Sequence, residues 1–385
     1  MKADFKLAGR LQKLPPYLFA EIDRVKRELA KKGVPFIDLS IGDPDIPSPK
    51  AVLKKIFEAS AVKSNQKYAL DAGKASLRAA IKKWMKKRFA VGLDADSEIL
   101  PLIGSKEGLV HFPMALAGPG DCVLIPSPGY PGYRAAALFA GADFYEMPLL
   151  EKNGFLPALQ EIPAAVRKRA KIMYLNYPNN PTTALAPKSF LEDAVRFCRK
   201  HGLILAYDNA YSEIFFGKKP MSVLQIKGAK EVTVEFHSFS KTFCMTGFRL
   251  GWACGSASLI GALLKLKTNI DSGVWGAIQE GGAHALEKEA GYTDRLRKQF
   301  AARRDLFVAG LKKKGFEGIH ADSAFYVWVR LPKGYSSSIK YAAHLLKDKN
   351  IVATPGLGFG SHGEGFIRFA LTTGTAELKK ALQKL

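Results

Sequence analysis

Only four cysteines occur in 385 residues (Cys122, Cys198, Cys244 and Cys254), and no two stand in a CxxC spacing. That spacing argues against zinc ligation or a disulfide framework, and reduced thiols in a cytoplasmic protein are expected. No run of about 18 apolar residues is available to span a bilayer. The N-terminus is charged where a signal peptide would be apolar, so no membrane or secretory role is expected. HExxH, Walker A and GxSxG are missing, and no metal site is expected. Acidic residues are scarce, 35 against 58 lysines and arginines, for a net charge of +23. The basic clusters, such as Lys82-Lys83 with Lys86-Lys87-Arg88 and Lys312-Lys313-Lys314, are scattered over amphipathic stretches. With no aromatic platform between them and no helix-turn-helix, they read as solvated faces rather than a nucleic-acid surface. The charge still draws small anions from a distance.

What is present is the composition of an ordinary enzyme, 47% hydrophobic and 24% charged. Apolar, β-branched runs at 122–126, 144–147, 171–175, 204–207, 232–236 and 250–253 alternate with helical patterns such as 190–201. This alternation predicts an α/β fold with a mainly parallel sheet covered on both faces, binding its ligand beyond the carboxyl ends of the strands. From about Gly281 a long charged helical stretch runs through Lys314. A strand at 325–330, a helix at 337–348 and a strand at 365–371 follow. The expected division is a large unit over 41–280 and a smaller α/β unit over 281–385, with residues 1–40 packing against the latter.

Six segments carry candidate chemistry. Lys241 stands in Ser238-Phe239-Ser240-Lys241-Thr242-Phe243, with Arg249 eight residues on. Asp208 ends the strand-like run Leu203-Ile204-Leu205-Ala206-Tyr207, and Tyr211 follows it. A carboxylate there can keep a pyridine nitrogen protonated, because opposite charge favours the charged form. Asn180 lies in Asn176-Tyr177-Pro178-Asn179-Asn180-Pro181-Thr182, where two X-Pro steps disfavour helix. Gly104-Ser105-Lys106 opens a helical pattern, whose N-terminal N–H groups suit a phosphate. Tyr130, between Pro128 and Pro131, is placed to stack on a ring. Arg368, in an alternating run, can fork onto a carboxylate. Each alone is equally an ordinary turn, cap or surface residue. Gly358-Phe359-Gly360-Ser361-His362-Gly363 matches GxGxxG, but only 22 residues follow it, too few for the rest of a dinucleotide-binding βαβ unit.

In this order, with Gly42 and Tyr68 ahead of them, these residues resemble the fold-type I pyridoxal phosphate (PLP) aminotransferases of the aspartate aminotransferase superfamily. The resemblance runs from about Tyr17 to Thr373. It implies a large PLP-binding domain with a seven-stranded sheet and a smaller α/β domain. It makes Lys241 the Schiff-base lysine and proton carrier, and Asp208 the partner of the pyridine nitrogen. Asn180 and Tyr211 would bond the phenolic oxygen. Ser105, the Lys106 backbone, Ser238 and Arg249 would hold the phosphate, joined by Tyr68 from a neighbouring subunit of a homodimer. Arg368 and the Gly42 backbone would clamp the substrate α-carboxylate. Amino acids and 2-oxo acids are the implied partners.

Within that superfamily, Leu14-Pro15-Pro16-Tyr17-Leu18-Phe19, Asp38-Leu39-Ser40-Ile41-Gly42-Asp43-Pro44-Asp45, Glu235-Phe236-His237-Ser238-Phe239-Ser240-Lys241 and Lys267-Thr268-Asn269-Ile270-Asp271-Ser272-Gly273 look like LL-diaminopimelate aminotransferases. That likeness implies lysine biosynthesis, with Tyr17 and Lys106 at the substrate pocket. It also makes Asp71 the candidate reader of the distal amino group, where the family often carries glutamate. Thr183 replaces the glycine that usually follows Asn-Pro-Thr. The alternatives are an aspartate or alanine/glutamate aminotransferase, or a C–S β-lyase on the same fold. A regulator with a DNA-binding domain ahead of such a fold is not expected, because the resemblance starts by Tyr17.

Overall fold

The computed structural model describes residues 5–16, 18–69 and 72–385. After β1 (Ile37–Asp38) come the strands of the large sheet: β2 (Ile99–Leu102), β3 (Cys122–Ser127), β4 (Asp143–Pro148), β5 (Ala170–Asn176), β6 (Ile204–Asp208), β7 (Thr233–Ser238) and β8 (Gly251–Gly255). Their order is β2-β8-β7-β6-β5-β3-β4, and only β8 runs against its neighbours.

The central strands read as continuous apolar runs because both faces are covered. Ile172, Tyr174, Ala206, Val234 and Phe236 pack on one face. Met173, Leu175, Leu205 and Tyr207 pack on the other. Helices Ser105–Leu116 and Ala257–Lys267 cover the first face, and Lys188–His201 covers the second. The edge strand β4 is more polar, with Asp143 exposed and Glu146 partly so, which discourages further pairing.

Beyond β8, helix Gly276–Lys288 packs against helices Lys50–Ser60 and Ala75–Phe89. A second sheet follows, built from β9 (Ile319–His320), β10 (Tyr326–Arg330), β12 (Thr354–Pro355) and β13 (Phe366–Ala370) in the antiparallel order β12-β13-β10-β9. Strand β11 (Ile351–Val352) pairs in parallel with β1, joining the N-terminal segment to the C-terminal one. Among the described residues no helix is long and apolar enough to cross a membrane. All four cysteines are free thiols.

Two expectations need correction. The charged helical stretch is two helices, Gly276–Lys288 and Ala290–Lys313, broken at Glu289, whose φ of −106° and ψ of 28° leave the helical region. Charge patterning does not register such a break. The run at 250–253 becomes a strand at Gly251–Gly255, because pairing with β2 and β7 continues through Cys254 and Gly255 after the apolar signal ends.

Candidate active site

The ends of three adjacent parallel strands place Asn176, Asp208 and Ser238 side by side, with the turn after β2 opposite them. They border a cavity of about 290 Å³, also lined by Gly42, Ser105, Lys106, Tyr130, Asn180, Tyr211, Lys241, Arg249 and Arg368. The fold therefore brings together all but three of the residues singled out from the sequence. Tyr68 lies outside the cavity, and its side chain is 90% exposed. Tyr17 and Asp71 lie outside the described residues.

Lys241 lies on a single helical turn, Phe239–Thr242, capped by the Ser238 hydroxyl, which accepts from the Ser240 N–H at 3.2 Å. Its Nζ donates to the Gly42 carbonyl at 2.6 Å. Burial disfavours the ammonium and pushes its pKa from 10.5 down to about 8, partly opposed by nearby Asp43. Gly42 has no room for a side chain, since a Cβ there would overlap the Tyr326 hydroxyl.

Asp208 is buried in the cavity wall. Its Oδ2 accepts from the Tyr133 hydroxyl at 2.7 Å and its Oδ1 from the Ala210 N–H at 3.2 Å. Burial nevertheless pushes its carboxyl up from 3.8 to about 6. A buried carboxyl so placed gains from a cationic partner. Asn176 donates its amide to the Asp208 carbonyl at 2.8 Å and accepts from the Asn180 N–H at 2.8 Å, locking two strand ends together.

Ser105 begins a 12-residue helix at the cavity wall, directly after Gly104 at φ +73°. A Cβ on Gly104 would collide with the Arg249 guanidinium, so the glycine lets that cation lie against the helix start. Ser238, Ser240, Thr246 and Arg249 line the same cavity, and Arg249 donates to the Thr246 carbonyl at 2.7 Å. Hydroxyls, a guanidinium and a helix N-terminus form a donor set suited to a phosphate dianion. Tyr130 sits edge-on to Tyr133 at 5.6 Å, and Tyr133 stacks on Tyr174 at 4.7 Å.

Arg368, on β13, is buried. Its guanidinium donates to Asn180 Oδ1 at 2.7 Å and to the Ser40 carbonyl, and lies 4.1 Å from the Tyr326 ring centroid. Burial lowers its pKa. Tyr211 exchanges a hydrogen bond with Tyr326 at 2.8 Å, and burial raises its phenol well above 10.0. Tyr133, Asn176 and Tyr326 were not singled out as site residues. Only Asn176 left a signal, inside the Asn-Pro segment itself. Thr183 sits at φ +65°, the region where glycine is ordinarily preferred. Its hydroxyl accepts from the Asp322 N–H at 3.1 Å and its carbonyl from the Ser323 hydroxyl at 2.6 Å, which hold it there.

A donor set suited to a phosphate, a buried carboxyl and an amine of lowered pKa around one cavity fit PLP, and this is a PLP-dependent enzyme of the aspartate aminotransferase fold. The chain matches the family described as aminotransferase class I and II over residues 34–385, and it belongs to that family. It is 46% identical over 385 residues to an LL-diaminopimelate aminotransferase of Nitratidesulfovibrio vulgaris, covering 100% of this chain and 99% of that one. The Aquifex aeolicus protein of the same name is 46% identical, covering 99% and 98%. Among solved structures, substrate-bound BacF from Bacillus subtilis superposes with a TM-score of 0.95 at 34% identity, covering 99% and 97%. The chain is a transaminase acting on small molecules.

Proposed function

We propose that the chain transfers an amino group from LL-diaminopimelate to 2-oxoglutarate, a reaction of lysine biosynthesis, as a cytoplasmic homodimer. The observation that carries the substrate is full-length identity of 46% to relatives bearing that name. Lys106 supports it. It lines both the polar cavity and an adjoining, mainly apolar cavity of about 740 Å³, the room a long amino dicarboxylate needs.

Bound PLP supplies an aldehyde for amino groups and a conjugated ring that accepts electrons from the substrate α-carbon. Ser105, the Lys106 backbone, Ser238 and Arg249 hold its phosphate. Tyr130 covers the ring, and Asp208 keeps a proton on the ring nitrogen. Asn180 and Tyr211 donate to the phenolic oxygen. Arg368 and the Gly42 backbone hold the substrate carboxylate. Lys241 Nζ, neutral above about pH 8, takes the proton from the substrate α-carbon.

Tyr68 reaches the phosphate of a second subunit. Its exposure supports this, as do the exposed apolar side chains Leu53, Phe57, Val62 and Trp275 around the helices that pack near it. Functionally, residues 41–280 form the cofactor unit and 281–385 the smaller unit, with the segment 1–40 packing against the smaller unit through β1, although helix Gly9–Gln12 lies against helix Gly132–Phe139 of the cofactor unit. The β1–β11 pairing supports that division.

A donor panel against 2-oxoglutarate tests the substrate. LL-diaminopimelate is expected to give the highest kcat/KM. A higher value for aspartate or alanine would overturn the assignment, and pyruvate release from cystathionine without an acceptor would make the enzyme a lyase. Arg368→Lys is expected to raise KM by roughly 10- to 100-fold with a smaller change in kcat, because one prong of the fork is lost. Steady-state kinetics check this, and an unchanged KM would remove Arg368 from the carboxylate site.

A further inference from the structure

Glu235 is fully buried on β7, three residues before Ser238. Its carboxylate takes four hydrogen bonds. Oε1 accepts from Asn209 Nδ2 at 2.8 Å and from His237 Nε2 at 2.7 Å. Oε2 accepts from the Ser222 hydroxyl at 2.6 Å and from the Val223 N–H at 3.0 Å. Asn209 directly follows Asp208, and His237 directly precedes Ser238. His237 is held as well by stacking on Trp252, at 4.6 Å and 8° between planes.

Packing alone does not require an acid here. Burying a carboxylate is costly unless its oxygens are satisfied, and apolar residues of similar volume often do as well. What these four donors accomplish is geometric. The Asn209 N–H already joins β6 to β7 by donating to the Phe236 carbonyl at 2.8 Å. The carboxylate adds a side-chain clamp between the same two strand ends and ties both to the loop at Ser222–Val223.

We propose that Glu235 is a positioning residue for the cofactor. It fixes the distance between the carboxyl that meets the ring nitrogen, Asp208, and the hydroxyl that meets the phosphate, Ser238, through the immediate neighbour of each. A rigid ligand bound at both ends is sensitive to that spacing, whereas one bound at a single end is not. The proposal rests on the reading of Asp208 and Ser238 as cofactor contacts.

The test is Glu235→Gln, which keeps the shape but turns an amide N–H₂ toward two of the donors. Three quantities are measured: the dissociation constant of the apoenzyme for PLP, the pH midpoint of the bound cofactor's visible absorption, and the melting temperature. PLP affinity is expected to fall about tenfold or more, as for other groups that orient a ligand's direct contacts, and the midpoint to move by about half a unit or more. A lower melting temperature with affinity and midpoint unchanged would overturn the proposal and leave Glu235 a packing residue. If Glu235→Gln does not fold, Asn209→Ala, which removes the Asp208 arm together with a long 3.5 Å bond to the Met221 carbonyl, decides by the same two ligand readouts. Asp208→Asn and Ser238→Ala serve as references. If neither changes PLP affinity, the underlying reading of the site fails. If they do and Glu235→Gln does not, only the clamp fails.

Discussion

Lys241→Ala is expected to be colourless after dialysis and to transaminate at least about 10⁴-fold more slowly than the wild type, because covalent attachment and proton transfer both depend on Nζ. Absorption spectra before and after borohydride treatment, with single-turnover assays, check this. A variant that borohydride still labels with cofactor would locate the attachment at another lysine. The wild type carries a companion signature. The neutral amine is the form that attacks an aldehyde, and burial against the charged form brings its pKa to about 8 instead of 10.5. Cofactor capture by the apoenzyme is therefore expected to quicken tenfold per pH unit up to about pH 8 and then level off. An unperturbed lysine would keep gaining to beyond pH 10. The depressed pKa gives roughly 300-fold more reactive amine at neutral pH.

Asp208→Asn has two effects of opposite sign. The amide keeps the shape but carries no charge, so kcat is expected to fall on the order of 10²- to 10³-fold, as when a buried charge loses its partner. The apoprotein, however, should become more stable at pH 8. In the empty site burial raises the Asp208 carboxyl from 3.8 to about 6, so the folded state holds its proton more tightly than the unfolded state. Stability is then lost as pH rises from about 4 through about 6, and at pH 8 the full penalty is in place, on the order of 2–3 kcal/mol. The neutral amide escapes it. Thermal melts of apo wild type and apo variant at pH 4 and pH 8 test the sign. A variant destabilised at pH 8 would show that Asp208 supports the fold rather than waiting for a cation.

The residues that could be read from the sequence are those at the ends of strongly apolar strands, where a polar side chain is conspicuous. Asp208 after Leu203–Tyr207 and Ser238 after 232–236 announce themselves in this way. What lies behind them does not. Tyr133 reaches Asp208 from 75 residues away, and Tyr326 reaches Tyr211 from 115. Such pairings depend on strand order, which local periodicity does not encode. Glu235 and His237 sit inside a run that reads simply as strand, because a fully satisfied buried acid leaves the backbone pattern unchanged. The break at Glu289 was hidden for a similar reason. A helical face of charges looks the same on either side of a single non-helical residue. The replacement at Thr183 was visible, but its meaning was not until the positive φ and the holding bonds from Asp322 and Ser323 appeared.

The pairing of β1 with β11 has a consequence for how the protein is made. Leaving the ribosome in order, the chain has all seven strands of the large sheet once Gly255 has emerged. Ser40, by contrast, waits for Thr354 and Arg368, each of which bonds its carbonyl. The segment carrying Gly42 therefore has its partner only when nearly the whole polypeptide has been synthesised. Contacts of such long sequence separation form late, since loop closure must precede them. A nascent chain can thus assemble the strand ends that carry Asp208 and Ser238 during translation, while the side held by Arg368 closes only once β13 has been made.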